Sequence, residues 1–408
     1  MAIRDEPRIT DVRTVLLTGP STGDPFLAAF KRLRTAAFVE IHTDSRHIGI
    51  GETYVGYHLP ELVPLVVDYV RPILLGAETL DPPTLLARMS ECCSYWARNG
   101  VGLAALSAVD AALWDLRGKL QDAPVFRLLG DAAHDRLPAY ATGGPSDWPP
   151  ERLLEKVDFY LAEGFRAVKV STGYYAHDAG LARSVAEGSP SEIEVEKVSR
   201  IRHHVGSDVG ILLDGHMGAQ IGSESWDMET AAAVLEALEP QDIVLFEEPL
   251  PYADPALYAE LARGTSIPIA GGEQLASLDE FHAFADGFDI AQPDASWLTM
   301  TTFVDVAKLF AERGRGIAPH CWSGGGGLMQ NVHAAFASPN SRLIELPPAA
   351  GPLHTEVWGD SLRMVDGAVI PPETPGLGVE LSDALKKHFP FQPGAEEFVP
   401  VRGKQLES

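Results

Sequence analysis

The chain has 408 residues, and an α/β barrel of about 250 residues leaves room for a second domain. Its 45% hydrophobic content suits a soluble protein with a full core, no run of about 18 apolar residues occurs, and the start MAIRDEPRIT is charged, so neither a membrane span nor a secretory signal is indicated and a cytoplasmic location is the expectation. A net charge of −25 speaks against nucleic acid or an anionic membrane as partner, but a bound divalent cation with local Lys or Arg can still invert the field inside one pocket and admit a small anion.

Residues 9–55 alternate apolar and polar positions with turn glycines between runs, which predicts strands and loops. Residues 101–120, VGLAALSAVDAALWDLRGKL, place Leu103, Leu106, Val109, Leu113 and Leu116 at helical spacing with alanines between, a helix suited to close packing. From Leu137 onward, strand and helix patterns alternate. LPAYAT, FRAVKV, GILLD, IVLFE, IPIAGG, FDIAQP, GIAPH and RLIEL make eight strand candidates, a barrel count. Residues 174–191 form a long insert that reads as a lid or as disorder. Beyond about residue 350 a Pro- and Gly-rich tail reads as loop returning to the first domain. The expected division is therefore an α+β capping domain over 1–130, a (β/α) barrel over 131–349 and a returning segment over 350–408. Cys92, Cys93 and Cys321 show no metal-ligand spacing and are expected as reduced, buried thiols.

Five polar residues end successive apolar runs: Asp214, Glu247, Glu273, Asp294 and His320, at intervals of 33, 26, 21 and 26 residues. Each interval is the length of a strand, a helix and two turns, and strand ends of a barrel converge on one face. Three converging carboxylates, Asp214, Glu247 and Glu273, are hard-oxygen ligands suited to Mg²⁺, which also relieves their mutual repulsion. Alternatively each caps a helix or meets a local lysine. Glu248 points the other way along its strand and reads as supporting. Asp294 and His320, on consecutive strand ends, suit a carboxylate that fixes the tautomer of a histidine base. His203, His204, His282 and His333 read as structural.

Taken in order, GETYVGY at 51–57, SAVDAALWDLRGK, GFRAVKV, FEEP, GGE, QPD and APH resemble the enolase superfamily, mandelate racemase subgroup. The resemblance implies a barrel of modified TIM type under an α+β capping domain, Mg²⁺ on Asp214, Glu247 and Glu273, and an Asp294–His320 dyad that removes the proton α to a carboxylate. It further implies a small-molecule carboxylate substrate, with Glu345 hydrogen-bonding the carboxylate, and a homo-oligomer. Where racemases of the subgroup carry Lys-x-Lys, this chain has Lys169-Val170-Ser171. Lys169 can neutralise the substrate carboxylate, but Ser171 is no base for the opposite face, which argues against racemisation.

A β-elimination needs one base and one acid. His216, two residues after Asp214 as in sugar-acid dehydratases of the superfamily, is a candidate acid, with protonated His320 or Tyr174 and Tyr175 as alternatives. Tyr54, Tyr57 and His58, on a capping loop, suit a polyol chain, and Asp24 is a weaker candidate. The run Gly324–Gly327 either lets backbone approach a ligand or turns the chain. The expected function is a Mg²⁺-dependent dehydratase of an aldonic or aldaric acid giving a 2-keto-3-deoxy acid. A racemase, epimerase or cycloisomerase on the same enolate chemistry is the alternative, and a metal-binding protein without turnover a third.

Overall fold

The computed structural model describes residues 7–26, 33–130, 132–143, 150–173, 175–178, 181–184, 188–218 and 225–395; for 175–178, 181–184 and Pro150 only the backbone is described. The chain opens with an antiparallel sheet of β1 (Ile9–Pro20), β2 (Leu33–Thr43) and β3 (Ile48–Thr53). Helices α1 (Val63–Leu75) and α3 (Gly100–Gln121) pack against it, and α2 (Pro82–Cys92) packs on those two helices. The alanines of α3 explain its intimacy with β3: a Cβ on Gly51 would lie 2.1 Å from the Ala108 carbonyl oxygen, so glycine on the strand and alanine on the helix let backbones meet.

After the short α4 (Phe126–Leu129) come β4 (Leu137–Thr142), α5 (Pro150–Ala162) and β5 (Ala167–Ser171), then a hairpin of β6 (Tyr175–Asp178) and β7 (Leu181–Ser184). Strands and helices then alternate: α6 (Pro190–Val205), β8 (Gly210–Asp214), α7 (Met228–Leu238), β9 (Ile243–Glu247), α8 (Pro255–Arg263), β10 (Ile269–Gly271), α9 (Leu278–Phe284), β11 (Ile290–Ala291), α10 (Met300–Ala311), β12 (Gly316–Ile317), α11 (Gly325–Phe336) and β13 (Ile344–Leu346).

All eight strand candidates are present. β4, β5 and β8 to β12 run parallel in that order, β13 pairs with β4 on its other side, and a parallel bridge from Ile317 to Ser341 brings the ends together. Tyr140, Leu212, Leu245, Ala270, Ile290 and Ala318 fill the interior below the strand ends.

Two expectations are corrected. The tail is not plain loop: α12 (Pro352–Trp358), β14 (Met364–Val365), β15 (Ala368–Val369) and α13 (Asp383–His388) lie in it. It touches both layers, since β15 pairs with β4, while Lys386 reaches Glu40 at 2.6 Å and the Phe389 carbonyl accepts from Thr18 N. Of the cysteines, all free, Cys93 and Cys321 are buried but Cys92 is exposed, because it ends α2 on the face turned to solvent. No helix among the described residues is long and apolar enough to cross a membrane.

Candidate active site

Strand register explains why residues distant in sequence meet. Ser171, Asp214 and Glu247 pair abreast across β5, β8 and β9. Ala291 pairs with Ile317, so the residues three further on, Asp294 and His320, leave their strands side by side. His320 Nδ1 lies 2.9 Å from Asp294 Oδ2 and Nε2 lies 3.4 Å from Glu273 Oε2. The other oxygen of Asp294 accepts from Ser296 N and Oγ, both at 2.7 Å, and from Asn331 Nδ2 at 2.8 Å. Fully used in this way, Asp294 orients the ring and leaves Nε2 facing the cavity side. Burial would lower the pKa of His320, but Glu273 and the hydrogen bond with Asp294 outweigh it and push the ring up to about 10.

Lys169 stands at the floor. Its ammonium lies 2.6 Å from Glu247, 2.9 Å from Glu345 and 3.1 Å from Asp214. Burial pulls its pKa down, yet these three carboxylates hold it well above the ordinary lysine value. One ammonium among three carboxylates leaves a surplus of negative charge. Burial, followed by the charge of Asp214, accordingly pushes Glu247 up to about 8. Asp214, which burial would raise, is held below the usual carboxylate range by His216 and Lys169, and Glu345 likewise by Lys169 and His320.

Among the described residues no three His, Cys, Asp or Glu side chains are gathered as a ready ligand set. The donor chemistry nevertheless fits a hard divalent cation. Asp214 and Glu247 are abreast, Glu273 faces the same cavity, and Glu247 Oε1 is buried without a hydrogen-bond partner. Glu345 Oε2 accepts from Cys321 N at 2.7 Å, which ties the last strand to the loop after His320.

On the opposite flank His216 has φ +50°, a left-handed conformation uncommon outside glycine. Its backbone N–H donates to Asp214 Oδ1 at 3.0 Å, Nε2 lies 3.3 Å from Asp214 Oδ2, and Nδ1 lies 3.4 Å from Ser171 Oγ. The turn thereby aims a half-exposed imidazole at the cavity. Glu248, also at positive φ, is fully buried and accepts from Gly218 N at 3.1 Å, supporting the same turn.

A cavity of about 620 Å³ takes in Lys169, Asp214, His216, Glu273, Asp294, His320 and Glu345, together with Tyr54 and His58 of the capping loop. Ser171 does not line it and stands behind His216. Tyr57, expected on the substrate, is fully buried elsewhere. Its hydroxyl donates to Glu52 at 2.7 Å and accepts from Gly324 N at 2.6 Å. Asp24 is likewise withdrawn, accepting from Tyr160 Oη at 2.9 Å. Tyr174 lies outside the described residues, as does the side chain of Tyr175. The run Gly324–Gly327 leads into α11, and Glu52 Oε2 accepts from Gly326 N at 2.6 Å and Gly327 N at 2.8 Å.

Sequence reasoning missed Glu52, Ser296 and Asn331, and the wall residues Leu59, Val101 and Trp297. A carboxylate inside the apolar run IGIGET and an amide within the buried helix GGGLMQNVHAAF were the available signals.

The two layers and this site are those of an α/β-barrel enzyme with an α+β cap. Residues 11–130 match the family described as mandelate racemase / muconate lactonizing enzyme, N-terminal domain, and residues 152–385 match enolase C-terminal domain-like. The chain belongs to the mandelate racemase/muconate lactonizing enzyme family of the enolase superfamily. It is similar to an arabinonate dehydratase of Saccharolobus solfataricus, 29% identical over 86% of this chain and 89% of that protein. Among solved structures, it resembles a 3,6-anhydro-D-galactonate cycloisomerase from Zobellia galactanivorans, at TM-score 0.78 and 28% identity over 94% of this chain and 99% of that one. A racemase from Streptomyces coelicolor A3(2) with bound magnesium superposes at TM-score 0.74 and 28% identity, over 91% and 97% of the two chains.

Proposed function

We propose that this enzyme is a Mg²⁺-dependent sugar-acid dehydratase, which removes the proton α to the carboxylate and expels the β-hydroxyl to give a 2-keto-3-deoxy acid. The carrying observation is the asymmetry of the site: an Asp294–His320 dyad on one flank, and on the other an imidazole, His216, beside a serine. The position from which racemases of the subgroup draw the opposite-face base is held here by Ser171, which does not line the cavity, and the imidazole beside it suits the acid that an elimination needs.

Asp214, Glu247 and Glu273 would hold the cation. Bound there, it supplies the positive charge that stabilises the substrate carboxylate as the α-carbon loses its proton. Lys169 contributes a second positive charge at the same end of the substrate. His320 takes the α-proton on Nε2 while Asp294 holds Nδ1–H. Glu273 favours the charged ring; with that carboxylate engaged elsewhere, Nε2 is left to accept a proton. His216, or His320 once protonated, donates to the departing hydroxide, and the resulting enol tautomerises to the keto acid. Proton and hydroxide leave together as water.

Two of the relatives named above, the dehydratase and the cycloisomerase, fit two versions of this chemistry, while the racemase fits the alternative. In a dehydratase the leaving oxygen departs, whereas in an elimination that opens an anhydro ring it stays in the product. The test is turnover of aldonic and aldaric acids by purified protein with Mg²⁺, read as 2-keto-3-deoxy product, with His320→Asn as control. Product lost in the control supports the reading. Deuterium wash-in at Cα with inversion there and the substrate otherwise intact would instead mean an epimerase.

A further inference from the structure

The cavity changes character with depth. Its charge lies at the floor, where Lys169, Asp214, Asp294 and Glu345 are each 5% exposed or less. Along one side of the mouth the wall is apolar, built from Tyr54, Val55, Leu59, Val101 and Trp297. The Tyr54 ring links the two zones, 5.7 Å from the His320 ring and 6.3 Å from the Trp297 ring, centre to centre. Trp297 is held edge-on by its Nε1–H donating to the Gln274 carbonyl at 3.2 Å, so its indole hydrogen is spent on the protein. Val101 sits at the start of α3, just past Gly100 at φ +61°. Leu59 is 37% exposed at the rim. Among the described lining residues Lys169 is the sole lysine or arginine; His58, 5.4 Å from the Tyr54 ring, and Gln274, whose carbonyl holds Trp297, are polar neighbours of the wall.

A substrate anchored by its carboxylate beside Lys169, with Cα at His320, extends its remaining carbons toward this wall. Resting on the dehydratase reading, we infer that the preferred substrate is a monocarboxylic sugar acid whose far end is poor in hydroxyls, with C–H surface, such as a terminal methyl, against Trp297, Val101 and Leu59. A terminal carboxylate placed there would lose water without gaining a cation from the described residues, which disfavours aldaric acids. A terminal hydroxyl would lose hydration against the indole and be disfavoured less strongly. This wall, together with the Lys169 floor, sets the specificity along the long axis of the site.

The test compares kcat/KM for matched acids of one configuration at C2 and C3 that end in methyl, in hydroxymethyl or in carboxylate. The methyl form is expected to lead the hydroxymethyl form by about 10- to 100-fold, the scale on which apolar pockets sort small differences, with the aldarate last. Trp297→Ala should bring the first ratio toward unity, chiefly through KM. Val101→Arg should raise the aldarate relative to the methyl acid.

Binding of the same series, by calorimetry with Mg²⁺ present, keeps the two claims apart. If no acid is turned over, the dehydratase reading falls, while tighter binding of the methyl form would still support the wall. Equal or tighter binding, or equal or faster turnover, of the hydroxymethyl or dicarboxylic member would overturn it.

Discussion

Asn331 donates its side-chain amide to Asp294 Oδ1 at 2.8 Å, while Oδ2 of the same carboxylate lies 2.9 Å from His320 Nδ1. The amide comes from α11, whose second and third backbone N–H groups are received by Glu52 of the capping domain. Orientation of the histidine thus passes through one carboxylate to a helix whose N-terminus is held by another. A carboxylate at that end also complements the helix dipole.

Asn331→Ala is expected to lower kcat about 10- to 100-fold with little change in KM, because a small misplacement of a catalytic group has such effects. Steady-state kinetics with the acid found in the turnover screen checks this. An equal fall in Asn331→Asp would show that the loss is not one of the amide donor alone.

His216→Asn separates the two proton transfers. Keto-acid formation is expected to fall by about 10²- to 10⁴-fold, the usual contribution of a general acid, while wash-in of deuterium at Cα continues through His320. Mass spectrometry of recovered substrate in D₂O reads both at once. Unaltered product formation would hand the acid's role to His320 or to a tyrosine of the 174–187 segment.

Cation binding has a signature that needs no substrate. At a Mg²⁺ concentration a hundredfold above its Kd, unfolding should become harder by about 2.7 kcal/mol, and chelation should reverse the gain. Asp214→Asn and Glu247→Gln should abolish the shift in a thermal melt. A shift that survives both variants would place the ion elsewhere.

Acid stability should depend on His333, which is fully buried and accepts from Phe126 N at 3.1 Å. Burial lowers its pKa from 6.5 to about 3. Above pH 6.5 both folded and unfolded chains carry it neutral. Between 6.5 and about 3 only the unfolded chain takes up the proton, so stability falls as pH falls, by about 2 kcal/mol at pH 5. Asp110, raised by burial to about 6, acts in the opposite sense as pH drops below 6. The difference in pH slope between the native chain and His333→Gln therefore isolates the histidine, and denaturant midpoints from pH 7 to 5 measure it.

Gly326→Ala would place a methyl 2.9 Å from Glu52 Cβ and 3.1 Å from its Oε2. A destabilisation of about 1–3 kcal/mol is expected, the range for overpacking a well-packed site. Thermal denaturation checks it, and an unchanged midpoint would mean that β3 can shift away from α11.

Much of the fold was legible because a barrel writes itself as a rhythm: the end of an apolar run is the end of a strand, and Asp214, Glu247, Asp294 and His320 could be placed by counting. Tyr57 was misjudged for the opposite reason. A polar-tipped aromatic on a capping loop reads the same whether it faces a ligand or a neighbouring domain, and only the position of Gly324 decides between them. Asn331 lies in a helix buried on every side, where periodicity marks no face, so its partner was invisible. Lys169 was recognised as a cation for the site, but its three carboxylate partners come from three strands and emerge only with the register.

The hydrogen bonds from Gly326 and Gly327 to Glu52, and from Tyr57 to Glu52, bear on how such an enzyme can be re-engineered. A chimera that grafts a foreign capping domain onto this barrel must bring a carboxylate and a phenol to the same two places or leave the helix behind the base without its end group. Editing Tyr54, His58 and Leu59 within the resident cap, with Tyr57 kept, leaves that joint intact, so new substrates are reached more directly by rewriting these loop positions than by exchanging whole domains.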